Sequence, residues 1–273
     1  MPHVFTNGIR LAFERYGRGE RVLFIMGSSA GGRVWTLHQT PAVVDAGYQA
    51  VTFDNRGIPP SDVPPGRYSL EDMVADTKGL IEAIGAGPCR IVGTSLGALI
   101  AQELAIRWPA LVRCAVLMST KARSDPARRA HGEAYRALAD SGVVLPPAFR
   151  ASVTAFEMLS PATLNDPRAS AGWLDTLRHA AATTPAGYAA GQDWVDVVED
   201  RRPALRGVTA PCRVIAFADD LITPPHLGAE VAEAIPDCDL IEVADAGHFG
   251  YLERPAEVNS AILEFLAKHE DTA

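Results

Sequence analysis

Two rhythms of apolar and polar positions alternate along most of the chain. Short runs rich in β-branched and aromatic residues recur at 10–16, 22–26, 48–53, 90–92, 115–118, 213–217 and 240–243, the signature of strands. Val22-Leu23-Phe24-Ile25-Met26 is apolar without interruption, as a strand covered on both faces must be. Between these runs the spacing becomes helical. After Ser69, residues Leu70, Met73, Val74, Thr77, Leu80, Ile81 and Ile84 keep one buried helix face. Ser69 with Asp72 three residues on predicts an N-terminal capping pair. A last helix after Pro255 would bury Val258, Ile262, Phe265 and Leu266 by the same spacing. Strands alternating with helices predict a mostly parallel sheet with helices packed on it, an α/β architecture.

The alternation stops between residues 121 and 203. This stretch is rich in Ala, Arg and Pro, carries helical patterns, and has no convincing strand. It is expected to be a helical lid inserted into a core made of 1–120 and 204–273. An independent second domain is the weaker alternative, because the segment's apolar residues would struggle to close a core alone.

Composition narrows the classes further. Of 273 residues 48% are hydrophobic and 21% charged, which supports a sizeable core. Twenty-five Lys and Arg against 33 Asp and Glu give a net charge of −8. That balance argues against nucleic acid or an anionic membrane as partner, since both require a basic footprint. The apolar runs are too short to span a bilayer, and residues 1–8 lack the basic and apolar segments of a signal peptide. Cys89, Cys114, Cys212 and Cys238 are widely spaced with no Cys-x-x-Cys. They read as small buried hydrophobes in a reducing compartment. A cytoplasmic protein acting on a small molecule is expected, without metal or cofactor; self-association into a homo-oligomer stays open.

The chemistry concentrates in Arg90-Ile91-Val92-Gly93-Thr94-Ser95-Leu96-Gly97-Ala98. A strand leads into Gly93-x-Ser95-x-Gly97, and a helix of small residues follows at once, the context that a nucleophile elbow requires. Such a turn leaves no room for β-carbons at its flanks and holds the serine hydroxyl at the positive end of a helix. A chance glycine turn is the alternative.

With this elbow in its strand-helix setting, the chain from about Gly8 to the last helix resembles the α/β-hydrolases. The resemblance implies an eight-stranded sheet, a helical lid between strands six and seven, and a catalytic triad ordered Ser, acid, His. Asp219-Asp220-Leu221-Ile222-Thr223-Pro224-Pro225 follows the run 213–217, where that family's acid lies. Ala246-Gly247-His248-Phe249 follows the run 240–243, where its histidine lies. Relatives tend to place the acid four residues before a proline in this loop, so with Pro224 the resemblance favours Asp220 over Asp219. His248 is the one of seven histidines on a Gly-flanked loop just past a strand; His3, His38, His131, His179, His226 and His269 suit surface, capping or packing roles. The oxyanion hole would use the amides of Leu96 and Ser28. Relatives commonly carry His-Gly before the latter, where this chain has Met26-Gly27. Asp54-Asn55-Arg56-Gly57 matches another family landmark and is expected to be structural.

Trp35, Phe149, Phe156 and Trp173 are the candidate substrate-binding residues. Met158, Tyr188 and Trp194 are further candidates to line an acyl pocket under the lid. Arg123, Arg128 and Arg129 read as a solvated helix face. A serine at the elbow sets aside the family's aspartate-nucleophile chemistries. The expected function is hydrolysis of an ester, thioester or lactone through an acyl-enzyme. Carbon–carbon bond hydrolysis, cofactor-free perhydrolysis and acyl transfer or cyclisation would use the same triad. A ligand-binding receptor without catalysis is the alternative from another class.

Overall fold

The computed structural model describes residues 1–185, 188–196 and 199–269. Residues 186–187 and 197–198 of the expected lid, and 270–273 at the end of the expected core, lie outside these.

Eight strands form one sheet: β1 (His3–Thr6), β2 (Ile9–Tyr16), β3 (Arg21–Ile25), β4 (Gln49–Phe53), β5 (Cys89–Thr94), β6 (Val112–Met118), β7 (Cys212–Phe217) and β8 (Cys238–Val243). Their spatial order is β1-β2-β4-β3-β5-β6-β7-β8. β2 runs antiparallel to both β1 and β4, and every neighbouring pair from β4 to β8 is parallel. Each expected strand coincides with one of these. β1 was not expected: its four residues alternate between exposed and half-buried at the sheet edge and carry no apolar run.

Helices α1 (Gln39–Asp45), α2 (Leu70–Ala83) and α3 (Leu96–Arg107) lie within the first half of the chain. From β6 to β7 the chain forms α4 (Pro126–Ser141), α5 (Pro147–Met158), α6 (Pro161–Asn165), α7 (Pro167–Thr183) and α8 (Arg202–Leu205), with no strand among the described residues. α9 (Pro225–Ala234), α10 (Gly250–Glu253) and α11 (Pro255–Lys268) complete the fold. Most helices after β6 begin with proline, whose missing N–H costs nothing at a first helical position. The Ser69–Asp72 capping box forms as expected, each side chain accepting from the other's amide.

Alternate residues of one strand feed opposite cores, which is why the central runs are apolar throughout. Leu23, Ile25, Ile91 and Leu117 join one core with α2 and α3; Val22, Phe24, Val92 and Val116 join the other with α1 and α11. Trp35 belongs to the second core. It is fully buried, with ring centroids 5.2 Å from both Phe24 and Tyr251, so it packs the sheet instead of facing a substrate. The four cysteines are unpaired, and burial pushes the Cys89 thiol up to about 12 and the Cys114 thiol up to about 11. No described helix is long and apolar enough to cross a membrane.

Candidate active site

The C-terminal ends of β5, β7 and β8 lie along the same edge of the parallel part of the sheet. Ser95 connects β5 to α3 with φ 51° and ψ −118°, a conformation that costs free energy for a residue with a β-carbon. The surroundings hold it there. Its amide donates to the Met118 carbonyl at 3.0 Å, and its carbonyl accepts from the Ala98 and Leu99 amides at 3.0 and 3.1 Å. A methyl on Gly93 would stand 2.5 Å from the Gly97 carbonyl oxygen, and one on Gly97 would collide with the Ile25 carbonyl. Only glycine fits at either flank, as the elbow pattern implies. Ser95 itself is half-buried, so its hydroxyl is reachable.

Asp220 and His248 form a buried pair. Nδ1 of His248 lies 2.8 Å from Asp220 Oδ2 and 3.0 Å from Oδ1. A carboxylate at Nδ1 holds the proton there and leaves Nε2 as the basic nitrogen. Oδ1 of Asp220 also accepts the Ile222 and Thr223 amides, both at 2.8 Å, and Oδ2 accepts the Thr223 hydroxyl at 2.8 Å. Burial pushes the Asp220 carboxyl up, but the His248 ring and the Thr223 donors outweigh it and hold the group below its ordinary value. Asp219 is half-exposed and donates its amide to the Ala246 carbonyl at 2.9 Å. Of the two adjacent acids, Asp220 is the one that reaches the His248 ring.

The loop carrying His248 is clamped from outside the sheet. Glu253 accepts the Gly247 amide at 2.7 Å, and its other oxygen accepts the Ser160 amide and hydroxyl at 3.0 and 2.8 Å. The Phe249 amide donates to the Met158 carbonyl at 2.9 Å. Ser119, at the end of β6, donates its hydroxyl to the His248 carbonyl at 3.4 Å. The sequence reading assigns no role at the site to Thr223, Ser119 or Glu253. Thr223 had a readable signal, since an Asp accepting amides two and three residues on makes a turn motif. Ser119 and Glu253 act through contacts far away in the chain and had none.

A cavity of about 90 Å³ opens beside Ser95. Ser28 and Leu96 line it with Ser95, and Leu99, Val195 and Ile222 give it apolar walls. Neither the Ser28 nor the Leu96 amide donates to a backbone carbonyl among the described residues. Lys121 also lines the cavity, but its ammonium is taken by the Asp196 carboxylate at 2.8 Å and the Ser124 hydroxyl at 2.7 Å. Two larger hollows, of about 320 and 470 Å³, lie against β2 and the N-terminus and include none of these residues. Chemistry, not size, locates the site.

Two expected pocket residues lie elsewhere. Phe149 and Phe156, on α5, are 53% and 67% exposed and do not line the cavity. Trp173 is half-buried and stacks on Phe249, with centroids 6.1 Å apart, beside the His248 loop. Arg129 is exposed as expected, whereas Arg128 grips the Leu221 carbonyl at 2.7 Å and so ties α4 to the loop after Asp220. His131 and His226 face Glu157 and Asp125. Among the described residues no three His, Cys, Asp or Glu side chains gather as a metal would require.

The Asp54–Gly57 landmark is structural, as expected. Asp54 accepts the Gly32 amide at 2.8 Å, Asn55 donates to the Met26 carbonyl at 3.1 Å, and Arg56 meets buried Asp76 with two bonds of 2.5 and 2.7 Å.

Comparison with known proteins agrees with this fold. The chain is 44% identical over 259 residues to BpoC of Mycobacterium tuberculosis H37Rv, provisionally named a non-heme bromoperoxidase, covering 95% of this chain and 98% of that one. The crystal structure of BpoC superposes with a TM-score of 0.91 over 96% of this chain and 97% of the other, at 43% identity. RutD of Azorhizobium caulinodans, provisionally named a carbamate hydrolase, is 27% identical across 97% of this chain and 98% of its own. The 3-oxoadipate enol-lactonase 2 of Acinetobacter baylyi is 27% identical across 93% and 92%. The model of the alpha/beta hydrolase family matches residues 22–261, and the chain belongs to that family.

Proposed function

We propose that the protein is a serine hydrolase that cleaves an ester, thioester or lactone of a small organic substrate through an acyl-enzyme on Ser95. The observation that carries this reading is the buried Asp220 carboxylate on His248 Nδ1, beside a serine held in an elbow. Nε2 of His248 takes the Ser95 proton as Oγ adds to the substrate carbonyl. The amides of Ser28 and Leu96 stabilise the negative charge that develops on the carbonyl oxygen. His248 then protonates the leaving group, and afterwards activates the water that releases the acid. Asp220 fixes the ring and stabilises its charged form. Leu99, Val195 and Ile222 form the acyl wall, and the small cavity suits a short acyl chain. The insertion 121–203 serves as the lid.

Labelling with a fluorophosphonate probe, turnover of short p-nitrophenyl esters and intact-mass detection of acylated protein test this reading together. Ser95→Ala should abolish all three and leave the fold intact, with turnover falling on the order of 10⁴-fold or more. Normal turnover in Ser95→Ala would overturn it.

A second reading is favoured by the 44% identity to a protein provisionally named a non-heme bromoperoxidase. In cofactor-free perhydrolysis hydrogen peroxide replaces water on the acyl-enzyme, which releases a peracid and restores the serine hydroxyl. The peracid then oxidises bromide to hypobromous acid in solution and becomes the carboxylic acid. Peracid formed from an ester and peroxide, lost in Ser95→Ala, would support it.

A further inference from the structure

A buried side chain from the segment before β7 reaches the loop that carries the Ser28 amide. Gln192 lies in the short 3-10 turn Ala190–Trp194 and is 2% exposed. Its Oε1 accepts the Ser29 amide at 2.8 Å, and its Nε2 donates to the Arg56 carbonyl at 2.7 Å. Both ends of the carboxamide are thus used, which fixes its orientation. Ser29 has φ 59°, the left-handed region that side chains avoid, so this backbone needs an external tie to stay put.

The loop 26–32 is tied at three points. Asn55 takes the Met26 carbonyl, Gln192 takes the Ser29 amide, and Asp54 takes the Gly32 amide. Ser28 sits between the first two ties and lines the cavity with Ser95. A methyl on Gly27 would stand 3.2 Å from Ser95 Cβ, so a small shift of this loop changes its distance to the serine directly. The turn bearing Gln192 is independently docked: Gly191 accepts the Tyr68 amide at 2.9 Å, and the Ala189 amide donates to the Gly57 carbonyl at 3.1 Å. Gln192 is therefore not needed merely to attach its own segment.

We infer that Gln192 is a positioning residue for the oxyanion hole, holding the Ser29 amide so that the neighbouring Ser28 N–H faces the developing negative charge. The inference rests on the acyl-enzyme reading above. It makes the segment before β7 part of the transition-state machinery and not only a cover. A donor aimed at charge that exists only in the transition state raises kcat and leaves KM nearly unchanged.

The test compares Gln192→Met, which keeps the volume and removes both hydrogen bonds, with Gln192→Glu and Arg201→Met. The last breaks the Arg201–Glu103 pair, with bonds of 2.7 and 2.8 Å, elsewhere in the same segment. Gln192→Met should lower kcat on a p-nitrophenyl ester by about tenfold to a hundredfold, short of the loss expected for deleting a donor outright. KM should hold within a few-fold. Phenylboronic acid, which forms a tetrahedral adduct on serine, should bind more weakly by a similar factor. Arg201→Met should lower the thermal midpoint and leave kcat unchanged. In Gln192→Glu only the protonated acid can donate to the Arg56 carbonyl, so its kcat relative to wild type should rise as pH falls from mildly alkaline to mildly acidic. Unchanged kcat and boronate affinity in folded Gln192→Met overturns the inference, as does a flat Gln192→Glu ratio across pH. If Ser95→Ala is inert in the same assay, that failure is confined to Gln192; if Ser95→Ala is active, both readings fall.

Discussion

Asp220 offers both carboxylate oxygens to Nδ1 of His248, at 2.8 and 3.0 Å, although Asp219, its neighbour in the chain, is the more exposed of the two. The adjacent acids provide an internal control of unusual closeness. Asp220→Asn keeps the shape, removes the charge and allows the wrong ring tautomer. Turnover should fall by about 10⁴-fold. Asp219→Asn should stay within a few-fold of wild type. Steady-state kinetics on both, with circular dichroism as the check on folding, separate them; a crippled Asp219→Asn beside a working Asp220→Asn reverses the assignment.

The same carboxyl predicts an acid limb in stability. Its value in the folded protein lies below the ordinary one, because the pull of His248 and the Thr223 donors exceeds the push of burial. The unfolded chain therefore binds the proton more readily, and Asp220 stabilises the fold above the ordinary carboxylate range. That contribution is lost as pH falls through the lower folded value. The difference in urea midpoint between wild type and Asp220→Asn should shrink as pH falls through this acid window.

Substrate choice should respond to the cavity wall and not to the exposed aromatics. Leu99→Ala and Ile222→Ala enlarge the space beside Ser95 and should shift preference toward longer acyl chains in a p-nitrophenyl ester series. Phe149→Ala and Phe156→Ala remove side chains that solvent already covers, and should leave the chain-length profile unchanged.

The Arg56–Asp76 pair should matter for stability through its breakage. Arg56 is 8% exposed and Asp76 2%, and Asp76 also accepts the Asn7 side chain at 2.9 Å. Burial pushes the Asp76 carboxyl up even with the guanidinium beside it. Asp76→Ala would leave the buried guanidinium only the more distant Asp72 carboxylate, at 3.7 Å, at a cost of about 3 kcal/mol in chemical denaturation. Because Arg56 also supplies the carbonyl that Gln192 holds, kcat should fall as well.

What could be read in advance follows the range of the interactions involved. Ser95 was legible because the elbow is written in five consecutive residues whose space requirements are local. Asp220 and His248 were legible only through the resemblance, which implies an acid and then a histidine after the last two strands. Trp35 reads as a pocket residue because an aromatic after a strand looks alike in sequence whether it fills a core or lines a pocket. Its neighbours Phe24 and Tyr251 come from distant parts of the chain. Phe149 and Phe156 have the apolar character of wall residues, yet on α5 they face outward. Gln192 and Glu253 are ordinary polar residues until the fold brings Ser29 and Gly247 to them. β1 had too little apolar character to stand out, since an edge strand buries so little.

The order of strands also sets the order in which reactivity can arise. Ser95 follows the fifth strand, whereas Asp220 and His248 follow the seventh and eighth. Synthesis proceeds from the N-terminus, so on the proposed reading a growing chain acquires its elbow well before it has a base. During that interval the hydroxyl is an ordinary alcohol, and the nascent protein cannot acylate itself on passing esters. Docking of β8 and its loop is the event that arms it. Ester cleavage regained during refolding should accordingly lag behind recovery of secondary structure, and a chain truncated before β8 should stay inert whatever else it has folded.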